Sequence, residues 1–334
     1  MFLIKKLRFG VIGCSRIASS STIPAILQSK FTSLEHLGSR DELKARDFAK
    51  KFKCTKFGSY QDVLNDDNVD AVYISLPIGL HEEWVIKASK AGKHILCEKS
   101  STTSYKSAQR MVDSCKKHNV RLLEGFMFRF HPSHQKVHQI IEQGKLGKIF
   151  SFYGKYGFAQ VPSDDIRYNK KLGGGILNDA GCYPICASRI VFNKEPQSVF
   201  YLSTIDKKSG VDVKGILSLR YTENEFAQME FGYGLAYQSK YEIWGNKGHL
   251  RLSRAYNIPP DVKASILIEN PDKKEILVKL TNHFRLMFDS FSKQILNVNK
   301  AHFDFETDLL LQAKVMDAAR RSHLQNKPVR PDDL

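Results

Sequence analysis

The sequence predicts an α/β protein: an N-terminal Rossmann-type doubly wound parallel sheet followed by a C-terminal α+β domain with a mainly antiparallel open sheet. Three observations lead there. From residue 7 to about 125, short apolar runs alternate with amphipathic stretches, the texture of successive βα units. Beyond Phe126, β-rich runs follow one another without helices between them, which argues for antiparallel pairing. The length, 334 residues with 42% hydrophobic and 26% charged side chains, suits an ordinary globular chain of about two domains at roughly 150 residues each. A seam near 125–130 then gives domains 1–125 and 126–334.

In the first domain, strands are expected at 7–12, 34–37, 71–76, 94–97 and 121–124, each short and apolar as required where helices cover both faces of a sheet. Helices are expected at 17–28, at 41–52 with Asp41 as N-cap, at 81–91 closed by Gly92, and at 104–118. In the second, a helix at 131–143 ends at Gly144, and strands are expected at 148–158, 196–206, 211–221, 225–233, 239–244 and 249–253. One helix opens near Gly175, and helical periodicity returns at 281–298 and 305–324. With helices mainly on one side, such a sheet exposes the aromatics and aliphatics of 150–158 and 226–237, an apolar face that two-fold pairing into a homodimer or homotetramer would cover.

Composition narrows the partners. Lys+Arg exceed Asp+Glu by 51 to 35, a net charge of +16, so anionic ligands are in view. The basic residues are scattered, with pairs such as Lys50-Lys51, Lys116-Lys117 and Lys170-Lys171 rather than a stripe, which argues against nucleic acid. The six cysteines show no CxxC pair and no zinc spacing, and they read as small hydrophobes in a reducing cytoplasm. The apolar run at Met1–Ile4 is too short for a secretory signal, and no stretch approaches the roughly 20 apolar residues of a membrane span. The expected location is cytoplasmic.

The first strand runs into Gly10-Val11-Ile12-Gly13-Cys14-Ser15-Arg16-Ile17-Ala18, a tight turn before a helix whose backbone N–H groups can hold a pyrophosphate. Gly13 keeps the first glycine of the dinucleotide fingerprint and Ala18 its small packing residue, while Ser15 stands where the glycine nearest the phosphates is usual. The second strand ends in Gly38-Ser39-Arg40, where NAD-binding folds offer an acidic ribose ligand; Arg40 and Ser39 suit a 2′-phosphate instead, so NADP(H) is expected before NAD(H). The alternative is a solvated Arg40 with Asp41 on the ribose. Leu76-Pro77-Ile78-Gly79-Leu80-His81 and Cys97-Glu98-Lys99-Ser100 follow at the carboxyl ends of later strands, where ligands sit in open α/β sheets. Leu76, Pro77, His81, Glu98 and Lys99 are therefore cofactor-side candidates, His81 having a packed helix-start role as its alternative.

In the second domain, Gly173-Gly174-Gly175-Ile176-Leu177-Asn178-Asp179-Ala180-Gly181-Cys182-Tyr183 opens a helix on which Asp179 and Tyr183, four residues apart, can face one pocket. Arg129 and Arg167 are candidates for a substrate phosphate or diphosphate, with structural salt bridges as the alternative for each. His131, His134 and His138 share a helical face but lack a carboxylate or thiol to complete a metal set, so a surface or interface face is expected and no metal. Trp84 and Trp244 read as core or interface residues.

These motifs in this order, with Glu124-Gly125-Phe126-Met127-Phe128-Arg129-Phe130-His131-Pro132 between them, resemble the glucose-fructose oxidoreductase/inositol dehydrogenase family, Gfo/Idh/MocA, along essentially the whole chain. The tyrosine ending the last motif is similar to the subgroup with dihydrodiol dehydrogenases and nucleotide-sugar ketoreductases. The resemblance implies a nicotinamide cofactor between a Rossmann domain and an α+β domain, with Lys99 as the family's Glu-Lys-Pro lysine. It also implies Tyr183 as catalytic acid/base and Asp179 as a residue that orients substrate. Two positions depart from the pattern. Ser100 replaces the usual proline, so the bond after Lys99, often cis in the family, is expected to be trans or else held cis at a cost of about 3 to 4 kcal/mol, and Ile78 replaces a frequent asparagine near the nicotinamide.

The chemistry is consistent by itself. Hydride transfer to a ketone leaves an alkoxide that must be protonated, and a tyrosine hydroxyl serves if its pKa, about 10 unperturbed, is lowered. Lowering it by two or three units takes roughly 3 to 4 kcal/mol, about what a lysine ammonium at about 4 Å supplies at an effective dielectric of 20. The sequence thus reads as an NADP(H)-dependent oxidoreductase acting on a secondary alcohol or ketone of a sugar or nucleotide-linked sugar. The alternatives are a dihydrodiol-type dehydrogenase and a non-catalytic nucleotide-binding sensor.

Overall fold

A computed structural model describes residues 5–298 and 303–334; the Met1–Ile4 run considered for a signal lies outside the described residues. The chain forms two compact units, one running through Met127 and adding Phe284–Leu310, the other comprising Phe128–His283 with Leu311–Leu334.

The first unit is built from β1 (Leu7–Ile12), α1 (Ile23–Gln28), β2 (Thr32–Gly38), α2 (Glu42–Phe52), β3 (Lys56–Gly58), α3 (Tyr60–Asn65), β4 (Ala71–Ile74), α4 (His81–Lys90), β5 (His94–Cys97), α5 (Tyr105–Lys117) and β6 (Leu122–Glu124). All strand pairs are parallel, in the order β3-β2-β1-β4-β5-β6, the doubly wound order that places ligands at the carboxyl ends beside β1. Every residue of β4 is buried, as the helix-covered sheet demands. Asp41 caps α2 by accepting from the Lys44 N–H. The helix expected at 17–28 forms, with a π-helical stretch, Ala18–Thr22, running into α1, where Pro24, lacking an N–H, sits in a first helical turn.

The second unit contains α6 (Pro132–Glu142), β7 (Ile149–Phe158), α7 (Cys182–Phe192), β8 (Ser198–Ile205), β9 (Asp212–Arg220), β10 (Phe226–Tyr233), β11 (Gln238–Gly245), β12 (His249–Ser253), β13 (Ser265–Asn270) and β14 (Asp272–Leu277). They form one eight-stranded sheet, β14-β13-β12-β11-β7-β10-β9-β8, antiparallel except where β7 lies parallel to β10 after the long excursion through α7. On one face α7 packs so closely that Pro184 occupies the space a side chain at Gly154 would need. Along β7, Phe152 and Tyr156 point to that covered face, so the open face is less apolar than the segment 150–158 suggests. It carries an exposed aromatic group, Phe150 with Phe226 and Trp244. Beside it lie Tyr153, whose hydroxyl donates to Glu230 at 2.6 Å, and Lys155, paired with the same carboxylate.

Two expectations need correction. Residues 284–310 belong to the first unit, not the second: α8 (His283–Ile295) sets Phe288 edge-on to Phe9 and Tyr73, and the start of α9 (Phe305–Gln325) supplies Glu306, which pairs with Arg121 and accepts from the Leu122 N–H. Nor do the helical histidines form a surface face. His131 is buried as the N-cap of α6, and His134 donates through Nε2 to the Ala255 carbonyl (2.8 Å) while its Nδ1 accepts from the Tyr241 hydroxyl (3.2 Å). Burial lowers their pKa to about 4 and about 3, so both are neutral packing residues at pH 7.

Candidate active site

At the head of β1, Gly13 has φ +107°, and a Cβ there would lie 2.7 Å from the Ser75 carbonyl, so only glycine allows this turn. The Gly13 N–H donates to Gly38 O (3.0 Å), tying the turn to the end of β2. Ser15 turns its hydroxyl inward: it accepts from the Ala18 N–H at 3.0 Å and bonds the Ser75 hydroxyl. The serine thereby caps the turn that a glycine usually leaves open. Cys14 is buried under it, its thiol pushed up to about 11 by burial, which keeps it unreactive. Arg16 is exposed and Ile17 half-buried on the following turn.

The tip of β2 carries the residues expected at an adenosine 2′-phosphate. The buried Ser39 hydroxyl accepts from the Asp41 N–H at 3.2 Å, and Asp41 in turn spends one carboxylate oxygen on capping α2. Arg40 stands exposed between them. Its guanidinium hydrogen-bonds the Tyr60 hydroxyl and lies beside a carboxylate engaged in a helix cap.

The strand ends at β4 and β5 supply the next group. Leu76 and Pro77 are half-buried, and Pro77 leads into a single 3-10 turn before α4. His81 is fully buried, its Nε2 2.8 Å from the Leu76 carbonyl and its Nδ1 3.2 Å from the Ser101 carbonyl; burial lowers its pKa to about 4. It pins the Leu76–Pro77 segment to the segment after Lys99. The Lys99–Ser100 peptide bond is cis, the second of the two expected arrangements rather than the favoured trans one. The bond is held by its surroundings: Ser100 and Ser101 are buried, and the Ser101 N–H donates to Glu124 Oε1 on β6 at 2.8 Å. Glu98 accepts from the Tyr73 hydroxyl at 2.5 Å.

In the second unit, the Gly-rich loop wraps Arg167. The Gly175 N–H donates to the Arg167 carbonyl (2.9 Å), and a Cβ at Gly174 would strike that same carbonyl. Arg167 donates through Nε to Asp179 (2.6 Å) and through Nη1 to Asp165 (3.1 Å). Burial works against its charge, but Asp179 and Asp165 outweigh it and hold the guanidinium firmly protonated. The salt-bridge alternative therefore describes its Nε and Nη1. The Tyr233 hydroxyl stands 3.5 Å from Asp179, and burial together with that carboxylate raises the Tyr233 pKa. Tyr183, at the start of α7, is 4% exposed and sits among Tyr156 (5.2 Å, edge-on), Phe128 and Tyr256. Arg129 is half-buried in the 3-10 turn Met127–Phe130. Lys99 belongs to the first unit and Tyr183 to the second.

Several residues that shape these groups escaped the sequence reading. Asp212, on β9, accepts from the Leu177 N–H (2.8 Å) and from the Tyr201 hydroxyl (2.7 Å), fixing the turn that carries Asp179. Arg320 on α9 donates to Asn178 at 2.6 Å, and Asn178 reaches the Gly173 carbonyl. Nothing local marks either; both act from strands or helices distant in sequence.

Comparison with known proteins gives consistent matches. Residues 7–126 match the model of an oxidoreductase family with an NAD-binding Rossmann fold, and residues 134–251 match the GFO/IDH/MocA C-terminal domain. The dTDP-3,4-didehydro-2,6-dideoxy-alpha-D-glucose 3-reductase of Actinomadura kijaniata is 33% identical over 94% of this chain and 95% of its own length. The trans-1,2-dihydrobenzene-1,2-diol dehydrogenase of Xenopus tropicalis is 28% identical over 79% of this chain and 78% of its own. Among solved structures, KijD10, a 3-ketoreductase from Actinomadura kijaniata in complex with NADP and TDP-benzene, superposes with a TM-score of 0.91 at 32% identity, covering 95% of this chain and 98% of that one.

Proposed function

We propose, from the premise that this chain belongs to the Gfo/Idh/MocA oxidoreductase family, that it reduces the keto group of a dTDP-linked sugar. It is an NADP(H)-dependent oxidoreductase acting on a secondary alcohol or ketone of a sugar or nucleotide-linked sugar. The observation that carries the narrower reading is the end-to-end likeness to a dTDP-sugar 3-ketoreductase in sequence and in fold. The test is turnover of NADPH with dTDP-3,4-didehydro-2,6-dideoxy-α-D-glucose. Absence of turnover on this compound, with activity on free aldoses or on a trans-dihydrodiol instead, overturns the dTDP-sugar assignment.

The residues of this chain divide the work. The Gly13–Ile17 turn and the tip at Ser39 and Arg40 hold the nucleotide, with the Leu76–Pro77 and Glu98–Lys99 strand ends on the nicotinamide side. Bound NADPH supplies the hydride. Asp179, aligned by Arg167, orients the sugar; Tyr183 delivers the proton to the oxygen that becomes hydroxyl; and Lys99 provides the positive charge that lowers the cost of ionising that tyrosine. Arg167 and Arg129 face the substrate's anionic portion.

Cofactor choice is testable at one side chain. NADPH is expected to bind roughly ten- to a hundred-fold tighter than NADH, the worth of a charge-assisted contact of about 1.5 to 3 kcal/mol. Arg40→Ala should erase most of that difference in measured dissociation constants. Equal affinities in the wild type return the role to Asp41.

We also propose a cytoplasmic homodimer or homotetramer. All six cysteines are buried and none is in a disulfide, as suits a reducing compartment, and no helix among the described residues is long and apolar enough to cross a membrane. The exposed Phe150, Phe226 and Trp244 would be covered by a second copy of the open sheet face. Light scattering at micromolar concentration should give twice or four times the chain mass, and Trp244→Lys should lower it; a monomeric wild type refutes the assembly.

A further inference from the structure

Inside the first unit a line of side chains runs under the ends of the central strands. The Ser15 hydroxyl, in the nucleotide turn, bonds Ser75, the residue after β4. Two residues back on the same side of that strand, Tyr73 is wholly buried, its hydroxyl close to those of Thr22 and Ser75 and donating to Glu98 Oε1 at 2.5 Å. The Glu98 carboxylate in turn faces the Lys99 backbone N–H and its ammonium. Every member of this line is polar, and the tyrosine at its centre has no packing need for a hydroxyl: its ring already sits edge-on to Phe288 at 5.8 Å. A phenylalanine would fill the same space.

We propose that Tyr73 is a positioning residue for the reaction: its hydroxyl holds the Glu98 carboxylate, and through it Lys99, in register with the turn that carries the nucleotide. The inference rests on the assignment of Lys99 made above. A half-buried carboxylate that lost this donor would either swing away or take up a proton, and in both cases the Lys99 backbone loses a group that faces it. The direction of the pH effect follows. Burial raises the Glu98 pKa, while the Tyr73 hydroxyl and the Lys99 charge oppose that rise. Removing the hydroxyl therefore lets Glu98 protonate at higher pH. The other titratable groups around it are the Cys97 thiol on the same strand, Glu124 on β6, which acts on that thiol, and His81 on α4, which feels Lys99.

The experiment compares full-length wild type with Tyr73→Phe, Glu98→Gln and Lys99→Ala, measuring kcat and KM for dTDP-3,4-didehydro-2,6-dideoxy-α-D-glucose with NADPH across pH, NADPH affinity by fluorescence, and the thermal midpoint. Tyr73→Phe should lower kcat roughly ten-fold or more, the size of one lost charge-assisted hydrogen bond, with KM and NADPH affinity nearly unchanged and the acid limb of the pH–rate profile moved to higher pH. Glu98→Gln should lose that limb. Tyr73→Phe with wild-type kcat and an unmoved limb overturns the proposal, as does a loss that merely follows a lower thermal midpoint. If Tyr73→Phe does not fold, a Glu98→Gln enzyme that keeps the acid limb overturns it equally. Lys99→Ala separates the two levels: retained turnover there removes the lysine's role and this inference with it, whereas loss in Lys99→Ala beside an unaffected Tyr73→Phe removes only this inference.

Discussion

Tyr183→Phe is expected to lower kcat by roughly a hundred- to ten-thousand-fold, the usual span for general acid/base catalysis, with NADPH affinity nearly unchanged. The substitution is a clean one. Tyr183 lies in an aromatic group formed by Tyr156, Phe128 and Tyr256, and all three contacts are made by its ring, which phenylalanine keeps. The ring packing is preserved and the hydroxyl proposed to deliver the proton goes. Steady-state kinetics with saturating NADPH, combined with a binding titration, provide the check. A wild-type kcat in the variant would move the proton path to another donor. The neutral, fully buried His81 makes a poor one, because its ring nitrogens already face the Leu76 and Ser101 carbonyls.

Lys99→Ala should give a different signature. If the ammonium lowers the pKa of the catalytic tyrosine, its removal should cut kcat by a similar order and also move the limb of the pH–rate profile assigned to Tyr183 upward, toward the unperturbed value of about 10. A tyrosine whose ionised form has lost its neighbouring cation ionises at higher pH, so the sign is fixed. Lys99→Arg should restore the charge but misplace it, since a planar guanidinium does not reproduce the point charge of an ammonium, giving a partial shift with poor rate. A Lys99→Ala enzyme with an unmoved limb would mean that the lysine acts on substrate or cofactor alone.

What was legible in the sequence follows from what is local. The strand–glycine–helix turn at Gly13, the Asp41 cap and the Gly173–Tyr183 motif have causes within a dozen residues, and the expected strands at 7–12, 94–97 and 249–253 agree with β1, β5 and β12 to the residue. Several missed elements have patterns too short or too polar to stand out, although β13, with Ile266-Leu267-Ile268 in its middle, was missed despite an apolar run. β3 has only three residues, half of β14 is lysine and glutamate, and α3 is a single run of six whose signal, the Ser59 and Asp62 capping box, was there to be read. At the site, residue types were visible and their partners were not. Nothing near Arg167 in sequence says that Asp165 and Asp179 share it, nothing near Leu177 announces Asp212, and nothing near Ser101 says that Glu124 accepts from its N–H across to another strand.

The late return of the chain to its first unit sets a schedule for synthesis. When Met127 leaves the ribosome, all six parallel strands exist, yet Phe9 and Tyr73 still lack Phe288, and Arg121 and the Leu122 N–H still lack Glu306. The intervening second unit, some 156 residues from Phe128 to His283, must be made before those partners appear. At about 5 to 20 residues per second that is a wait of roughly ten to thirty seconds with an apolar flank of the nucleotide-binding half uncovered. A nascent chain of this design is a natural client for holding chaperones, and a fragment ending at the seam should be recovered mainly as aggregate.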